Sequence, residues 1–361
     1  MMSKSFFSID VKTRDLVFNF DAKTSRGSMQ VHRVYYLILT HSSGYSGVGE
    51  IAPLPGLSPD FGDVNEEKIR SLAQNLASER PGFTFHEMMQ LAEKHSEGLP
   101  SVRFGMETAL LDWHFGGEKC ILRNDFIANE HPIPINGLIW MNEPMKMFEE
   151  GKIKFEQGYR CLKLKIGATN WDTELAVLKK LRQLAPAEKL TLRLDANGAF
   201  NENNIWLVLD QLERLQIHSI EQPVKPGQYK LMAELCNFSP VPIAFDEELI
   251  GEQPDIQFFD KYIPQYLVLK PTLVGGLSIT RNWIELAKQA GIGWWITSAL
   301  ESNIGLNAIC QFTFENIMPG IEQGLGTGKL YRNNLESPLV VESGYIHYAQ
   351  EKSWESLSNS D

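Results

Sequence analysis

The sequence predicts an α/β protein in which a closed barrel of alternating strands and helices follows an α+β unit. From about Pro134, short apolar strands alternate with helical segments, the sign of a parallel sheet with crossover helices. Eight such strands follow one another, the number that closes a ring. Before about residue 115 the order differs, with strands first and helices after them. The expected boundaries are 1–115 for the first unit, rejoined by the tail 331–361, and 134–328 for the barrel.

The chain has 361 residues, more than one small domain needs. At 43% hydrophobic it can fill a sizeable core, and its 22% charged residues are ordinary for a globular protein. A net charge of -11 argues against nucleic acid or an anionic membrane as the main partner. It does not exclude a small carboxylate substrate, because one buried cation reverses the local field. The start, MMSKSFFSIDVKTRD, lacks the apolar run of a secretory signal, and no membrane-spanning apolar stretch occurs, so a cytoplasmic location is expected. Cys120, Cys161, Cys236 and Cys310 form no CxxC pair and read as reduced structural thiols. A homo-oligomer is left open.

In the first unit, SFFSIDV, LVFNF, VHRVYYLILTH and YSGVGEIAPL read as strands, with a hairpin at Ser43-Gly44. Helices are expected around 66–78, 86–94 and 102–115. The barrel strands are IPINGLI, YRCLKLKIG, LTLRLDANG, HSIEQP, PIAFDEE, QYLVLKP, GWWITSALE and, weakly, MPGIEQGLG. Between them, Ile205, Val208, Leu209 and Leu212 recur at helical spacing. Trp283, Leu286 and Ala290 do the same, and Gly291 stands where a helix ends. The tail is polar over 353–361, and its strand-like SPLVVESGYIHY is expected to pack on the first unit.

Function in such a barrel sits where the strands end. Strand two ends in Lys163-Leu164-Lys165, strand three in Asp195-Ala196-Asn197, strand four in Glu221, strand five in Asp246 and strand six in Lys270. One ionisable group thus arrives with each βα unit. Alternation assigns the faces. Leu162 and Leu164, like Leu192 and Leu194, point to the helices, so Lys163, Lys165, Arg193 and Asp195 point into the ring. Burying these charges is costly unless they pair or bind a metal. Three carboxylates on adjacent strands make an all-oxygen site, which favours Mg²⁺. Zinc is disfavoured, since no Cys or His joins the set. A cation there would stabilise charge that develops on a substrate carboxylate when an adjacent proton is removed. A lysine can take that proton if burial or another cation lowers its pKa.

The set Lys163-x-Lys165, Asp195-x-Asn197, Glu221-Gln222-Pro223, Asp246-Glu247 and Lys270-Pro271 resembles the muconate-lactonizing-enzyme subgroup of the enolase superfamily. The resemblance covers nearly the whole chain and implies a (β/α)7β-type TIM barrel with an N-terminal α+β capping domain. It implies Asp195, Glu221 and Asp246 as ligands of Mg²⁺, Lys165 and Lys270 as the catalytic lysines, and Lys163 as an auxiliary cation. Three further segments resemble the o-succinylbenzoate synthase family: GEIAPLPG at 49–56, SALES at 298–302 and GLGTG at 324–328. That family dehydrates 2-succinyl-6-hydroxy-2,4-cyclohexadiene-1-carboxylate, a step of menaquinone synthesis. In its mechanism Lys165 would take the α proton and return a proton to the departing hydroxyl, while Lys270 would hold the charge from the other face. One departure is Leu325-Gly326-Thr327, where an aspartate is the commoner middle residue.

Several residues keep two readings. Asn197 is a partner of the metal site or a turn former; Ser298 and Ser302 are substrate donors or loop formers. Leu54 is a substrate contact if the loop 51–59 closes over the barrel, as it does in the family. The loop Thr24-Ser25-Arg26-Gly27 has the same two readings. Arg103 reads as a surface or ion-pair residue, with an interdomain contact as the lesser reading, and His218 as structural. An N-acylamino acid racemase or dipeptide epimerase would use the same lysines, although the GLGTG segment lacks the Asp-x-Asp that holds a dipeptide amine. A Schiff-base aldolase leaves the three acids unexplained. A non-catalytic scaffold leaves the whole set unexplained.

Overall fold

The computed structural model describes residues 5–24 and 27–357. Ser25 and Arg26 of the first capping loop lie outside the described residues, as do the first four and last four residues of the chain. A three-stranded antiparallel sheet comes first: β1 (Phe7–Thr24), β2 (Gly27–His41) and β3 (Ser46–Ile51). The two strands expected in SFFSIDV and LVFNF are one, because β1 pairs with β2 without a break from Phe7 to Val17. The charged stretch between them does not interrupt the ladder. Asp15 sits opposite Arg33 and accepts two hydrogen bonds from it, at 2.7 and 2.8 Å.

Three helices follow: α1 (Glu66–Ser78) and α3 (Pro100–His114) pack on this sheet, and α2 (Phe85–His95) packs on those two helices. Their starts have local causes. Asn65 accepts from the Lys68 N–H, Thr84 and Glu87 form a capping box, and Pro100 opens α3. The helix α3 lies so close to β3 that a Cβ on Gly49 would meet the Gly105 carbonyl oxygen at 1.8 Å.

After the short α4 (Asp125–Ala128) and β4 (Ile133–Pro134) the ring begins. Its elements run β5 (Gly137–Ile139), α5 (Pro144–Glu156), β6 (Cys161–Lys165), α6 (Trp171–Leu184), β7 (Thr191–Asp195), α7 (Ile205–Glu213), β8 (Ser219–Glu221), α8 (Tyr229–Phe238), β9 (Ile243–Phe245), β10 (Tyr266–Leu269), α9 (Pro271–Val274), α10 (Gly276–Ala290), β11 (Gly293–Ile296) and α11 (Asn303–Asn316). The strands β5 to β11 are parallel neighbours in sequence order. Leu162, Leu164, Leu192 and Leu194 are fully buried in the layer between strands and helices.

The eighth strand is a stitch of two residues rather than a ladder. Gln323 bridges to Ile135 and Gly324 to Thr297, and these bridges close the ring. The Gln323 side chain adds to the closure, accepting from Ile296 N–H at 2.8 Å and donating to the Ile321 carbonyl at 2.7 Å. Pro319, Gly320, Gly324 and Gly326 explain the weak strand signal there.

The tail divides its contacts, which corrects the expectation for SPLVVESGYIHY. The strands β12 (Leu339–Glu342) and β13 (Tyr345–Tyr348) form a sheet with β4, at the amino end of the first barrel strand. Only the flanking residues reach the first unit: Tyr331 bridges to Phe18, and Glu355 pairs with Arg14 at 3.1 Å. Among the described residues, no helix is long and apolar enough to cross a membrane.

Two buried acids join the cap to the ring. Glu107 on α3 accepts from the Leu277 N–H at 2.5 Å and from the Ser278 hydroxyl, at the start of α10. Arg103 beside it reaches Ser278 at 3.3 Å, so this arginine belongs to the junction as well as to ion pairs with Glu93 and Glu107. Glu50 on β3 accepts from the Ser302 N–H and the Gly305 N–H, both at 2.7 Å, at the start of α11. Helix starts carry unsatisfied N–H groups and partial positive charge, so a carboxylate is a good partner there.

Gly49→Ala should lower stability by about 3 kcal/mol, at the upper end of overpacking costs. Urea unfolding reads this as a lower midpoint with an unchanged slope; a midpoint equal to wild type would show that α3 yields freely. Burial pushes the Glu50 carboxyl up from 4.5 to about 7, against its hydrogen bonds from Ser302 and Gly305. Its folded pKa is therefore above its unfolded one. The folded state holds a proton that the unfolded chain releases, so the contribution to stability is complete below 4.5 and is lost as pH rises through about 7. Glu50→Gln should flatten the decline in urea midpoint between pH 4.5 and about 7; an unaltered slope would count against this.

Candidate active site

The parallel register brings the strand-end charges to one level. Lys165 is paired with Asp195 across β6 and β7, and Asp195 with Glu221 across β7 and β8. Asp246 follows β9 and Lys270 follows β10. All are buried. Lys163 Nζ lies 2.5 Å from Glu221 Oε2 and 3.2 Å from Asp195 Oδ2. Lys165 donates to Asp195 Oδ2 at 2.9 Å and to Asn197 Oδ1 at 3.0 Å. Lys270 donates to Asp246 Oδ2 in a close ion pair and lies 3.8 Å from Glu221 Oε1.

The electrostatics follow from this weave. Burial pushes Asp195 up, but Lys163, Lys165 and Lys270 outweigh it and hold its carboxyl well below the usual range. Asp246 is also lowered: burial opposes ionisation, and Lys270 overcomes it. Glu221 goes the other way, to about 8, through burial and the neighbouring Asp195 and Asp246. Burial alone would lower Lys163 and Lys270, yet their carboxylate neighbours raise both.

The acid set suits a hard divalent cation. It offers oxygen donors only, from three consecutive strand ends. Glu221 is ion-paired, yet neither of its buried oxygens accepts a well-directed hydrogen bond. Oxygens buried in this way depend on a nearby cation, here the Lys163 ammonium, and are of the kind a divalent ion also takes. Among the described residues no three acids, histidines or cysteines are arranged as a finished metal cage. The ammonium groups of Lys163 and Lys270 lie among the carboxylates instead.

The second layer is hydrogen-bonded. Asn197 stands at φ 45° and donates to Glu247 Oε1 at 3.0 Å while accepting from Lys165. Gln222 is fully buried; its Oε1 accepts from the Glu248 N–H at 3.2 Å, and its Nε2 donates to the Val224 carbonyl at 2.9 Å. It thereby ties the end of β8 to the end of β9.

Above these groups lies a cavity of about 380 Å³. Lys163, Lys165, Asp195 and Lys270, with the neutral Asn197, form its polar floor. The cap supplies its roof through Ala22, Met29 and the segment 54–57, including Leu54. Leu54 also packs with Leu273 and Ala299 of the ring. Ser298 lines the wall, and its hydroxyl donates to the buried Glu301 at 2.5 Å. Ser302 does not line the cavity, which corrects the expectation of a substrate contact. It caps α11, and its hydroxyl donates to Glu50 at 2.5 Å. A serine one turn beyond a strand end reads alike in sequence whether it caps a helix or faces a ligand. Trp140 is a wall residue with no advance signal. Its ring lies 5.7 Å from Lys165 Nζ, within cation–π range. His218 lies away from the cavity, tilted against Tyr266 with ring centroids 4.9 Å apart. Burial lowers its pKa to about 4, as suits a neutral packing residue.

A family model described as enolase C-terminal domain-like matches residues 146–352. A protein named o-succinylbenzoate synthase, from Desulfotalea psychrophila, is 40% identical over 95% of this chain and 99% of its own length. The crystal structure of MenC from Desulfotalea psychrophila superposes with a TM-score of 0.80 at 37% identity, covering 95% of this chain and 100% of that one. A dipeptide epimerase from Enterococcus faecalis, complexed with Mg and a dipeptide, shares the fold: TM-score 0.81, 17% identity, 96% of this chain and 97% of that one.

Removing one partner of a buried charge set leaves the others uncompensated. Lys163→Met should therefore destabilise the protein by about 3 kcal/mol, whereas Lys179→Met on the exposed face of α6 should cost less than about 0.5 kcal/mol. Equal effects in urea unfolding would mean that Lys163 does not balance the acids.

Proposed function

This chain belongs to the o-succinylbenzoate synthases of the enolase superfamily, and from that membership we propose how its own residues carry the reaction. The activity is a hydro-lyase reaction. It converts 2-succinyl-6-hydroxy-2,4-cyclohexadiene-1-carboxylate to o-succinylbenzoate and water, a step of menaquinone synthesis. Residues 1–115, joined by the parts of the tail 331–361 that flank β12 and β13, serve as a cap over the barrel of 134–328. Lys163 is the standing cation of the site, since it touches both Asp195 and Glu221.

The single observation that carries the assignment of roles is the placing of Lys165 and Lys270. Both line one cavity, yet they come from the second and sixth positions of an eight-membered ring, which are opposite each other. A substrate between them meets one amine on each face. Lys165 takes the proton next to the ring carboxylate. The C–H electrons move into the carboxylate, and Lys270 as an ammonium holds that charge from the other side. The ammonium of Lys165 then gives its proton to the hydroxyl on the same face. The C–O bond breaks, water leaves, and the ring becomes aromatic. A magnesium ion held by Asp195, Glu221 and Asp246 would supply Lewis-acid stabilisation of the carboxylate charge. Asn197 keeps Lys165 and Glu247 in register through its two hydrogen bonds.

The apolar roof suits the flat diene ring, and the 380 Å³ cavity is of the size that small ligands take. The partner proposed is thus a small dicarboxylate, met in the cytoplasm. Incubated with Mg²⁺ and the cyclohexadiene carboxylate, the protein should produce the ultraviolet absorbance of the aromatic product. Lys165→Ala and Lys270→Ala should each reduce the rate by at least about 10³-fold. A wild-type protein that is inert there but racemises N-succinylamino acids would overturn the assignment in favour of a racemase.

A further inference from the structure

Leu300 lines the cavity with a backbone φ of 71°. In that left-handed region the Cβ of a leucine crowds the following carbonyl, and the conformation persists only when its surroundings impose it. Here they do. The Leu300 N–H donates to Ser298 Oγ at 3.1 Å, and Ser298 is itself anchored on Glu301. The Leu300 carbonyl accepts twice, from the Tyr331 hydroxyl at 2.6 Å and from His32 Nδ1 at 3.0 Å. Neither donor belongs to the ring. Tyr331 lies in the tail and packs on Phe18 of β1, with ring centroids 4.6 Å apart; His32 lies in β2.

His32 also reaches the roof. Its Nε2 lies 3.4 Å from the carbonyl of Pro53, next to the roof segment 54–57. The ring is buried among these carbonyls, and burial holds its pKa below the ordinary value. A neutral imidazole carries one N–H, and the shorter contact assigns it to Nδ1, toward Leu300. One histidine of the cap therefore stands behind two parts of the cavity lining.

We propose that His32 and Tyr331 are positioning residues, which by bonding the Leu300 carbonyl hold the 298–301 turn in its left-handed form and so let the cap and the tail shape the ring's side of the substrate cavity. Without them Leu300 would leave the left-handed region and move the wall. A glycine at 300 would keep the conformation unaided, because it has no Cβ to crowd. The kinetic readout rests on the hydro-lyase reading; the structural readout does not.

Tyr331→Phe removes one hydroxyl and keeps the ring in place. In the Leu300 protein it should raise KM for the cyclohexadiene carboxylate about tenfold, the loss expected for one hydrogen bond, and change kcat less than about threefold. In a Leu300→Gly background the same substitution should leave KM within about twofold of the Leu300→Gly value, since the turn no longer needs the restraint. The ratio of ratios cancels the effect of removing the leucine side chain. His32→Leu, which removes the second donor, is expected to behave in the same way and serves if Tyr331→Phe folds poorly. An equal rise of KM in both backgrounds would overturn the proposal, because a merely structural tyrosine would act in both. The second measurement is a crystal structure of Tyr331→Phe, in which Leu300 should have left positive φ. Leu300 still at a φ near 71° there would overturn it even if the wild type proved inert toward this substrate.

Discussion

Three carboxylates and three ammonium groups share the carboxyl end of the ring, and each is tolerable only because the others are present. A carboxylate taken out of water alone costs several kcal/mol, even after the protein relaxes. Here Asp195 is held by Lys163 and Lys165, and Asp246 by Lys270. The balance depends on register. The ladder sets Lys165 level with Asp195, and Asp195 level with Glu221. A slip of one residue would turn those groups toward the helices and bring the leucines inward. The apolar layer outside the strands and the charged floor inside them therefore specify each other. Glu221 is the least satisfied member, and it sits between the other two acids. That is the position from which a dication could be shared.

The same logic, with helix ends in place of lysines, holds the cap. The helices α10 and α11 begin at the carboxyl end of the ring, so their free N–H groups face the first unit. Glu107 and Glu50 fill them. Glu50 has no cation beside it among its hydrogen-bonding partners, and burial dominates its titration. The cap is thus tied to the ring by a seam that is polar and buried. Mutations there should be felt as changes in the cavity roof before they are felt as unfolding.

The barrel was legible because its signals were periodic. Leucines alternating with charged residues marked both faces of β6 and β7, and the same end of successive strands carried the ionisable groups. The three acids and two lysines could be placed together from that pattern alone. What escaped lacked a pattern. Lys12 to Asp15 looked like a break between strands, but a charged pair across a ladder is compatible with β structure. Ser302 carried the hydroxyl of a ligand contact and proved to be a helix cap. Glu50 lay within the strand-like YSGVGEIAPL without any mark of its own and is a buried tether. Leu300 gave no hint of its left-handed backbone, because leucine does not advertise it as glycine or asparagine would. His32 is a single residue on an ordinary strand and Trp140 stands just past the end of β5, and nothing in their neighbourhoods sets them apart.

The stitched closure at Gln323 and Gly324 carries a consequence for how such a scaffold can diverge. Six of the ring's junctions are runs of main-chain hydrogen bonds that extend through neighbouring strands. The join on either side of this stitch is brief, and the amide of one glutamine reinforces it. Residues just beyond it, Gly326 and Thr327, line the cavity. Drift in that stretch alters what the pocket admits while leaving the long ladders untouched. New specificity can therefore arise at the ring's thinnest point without first dismantling the ring.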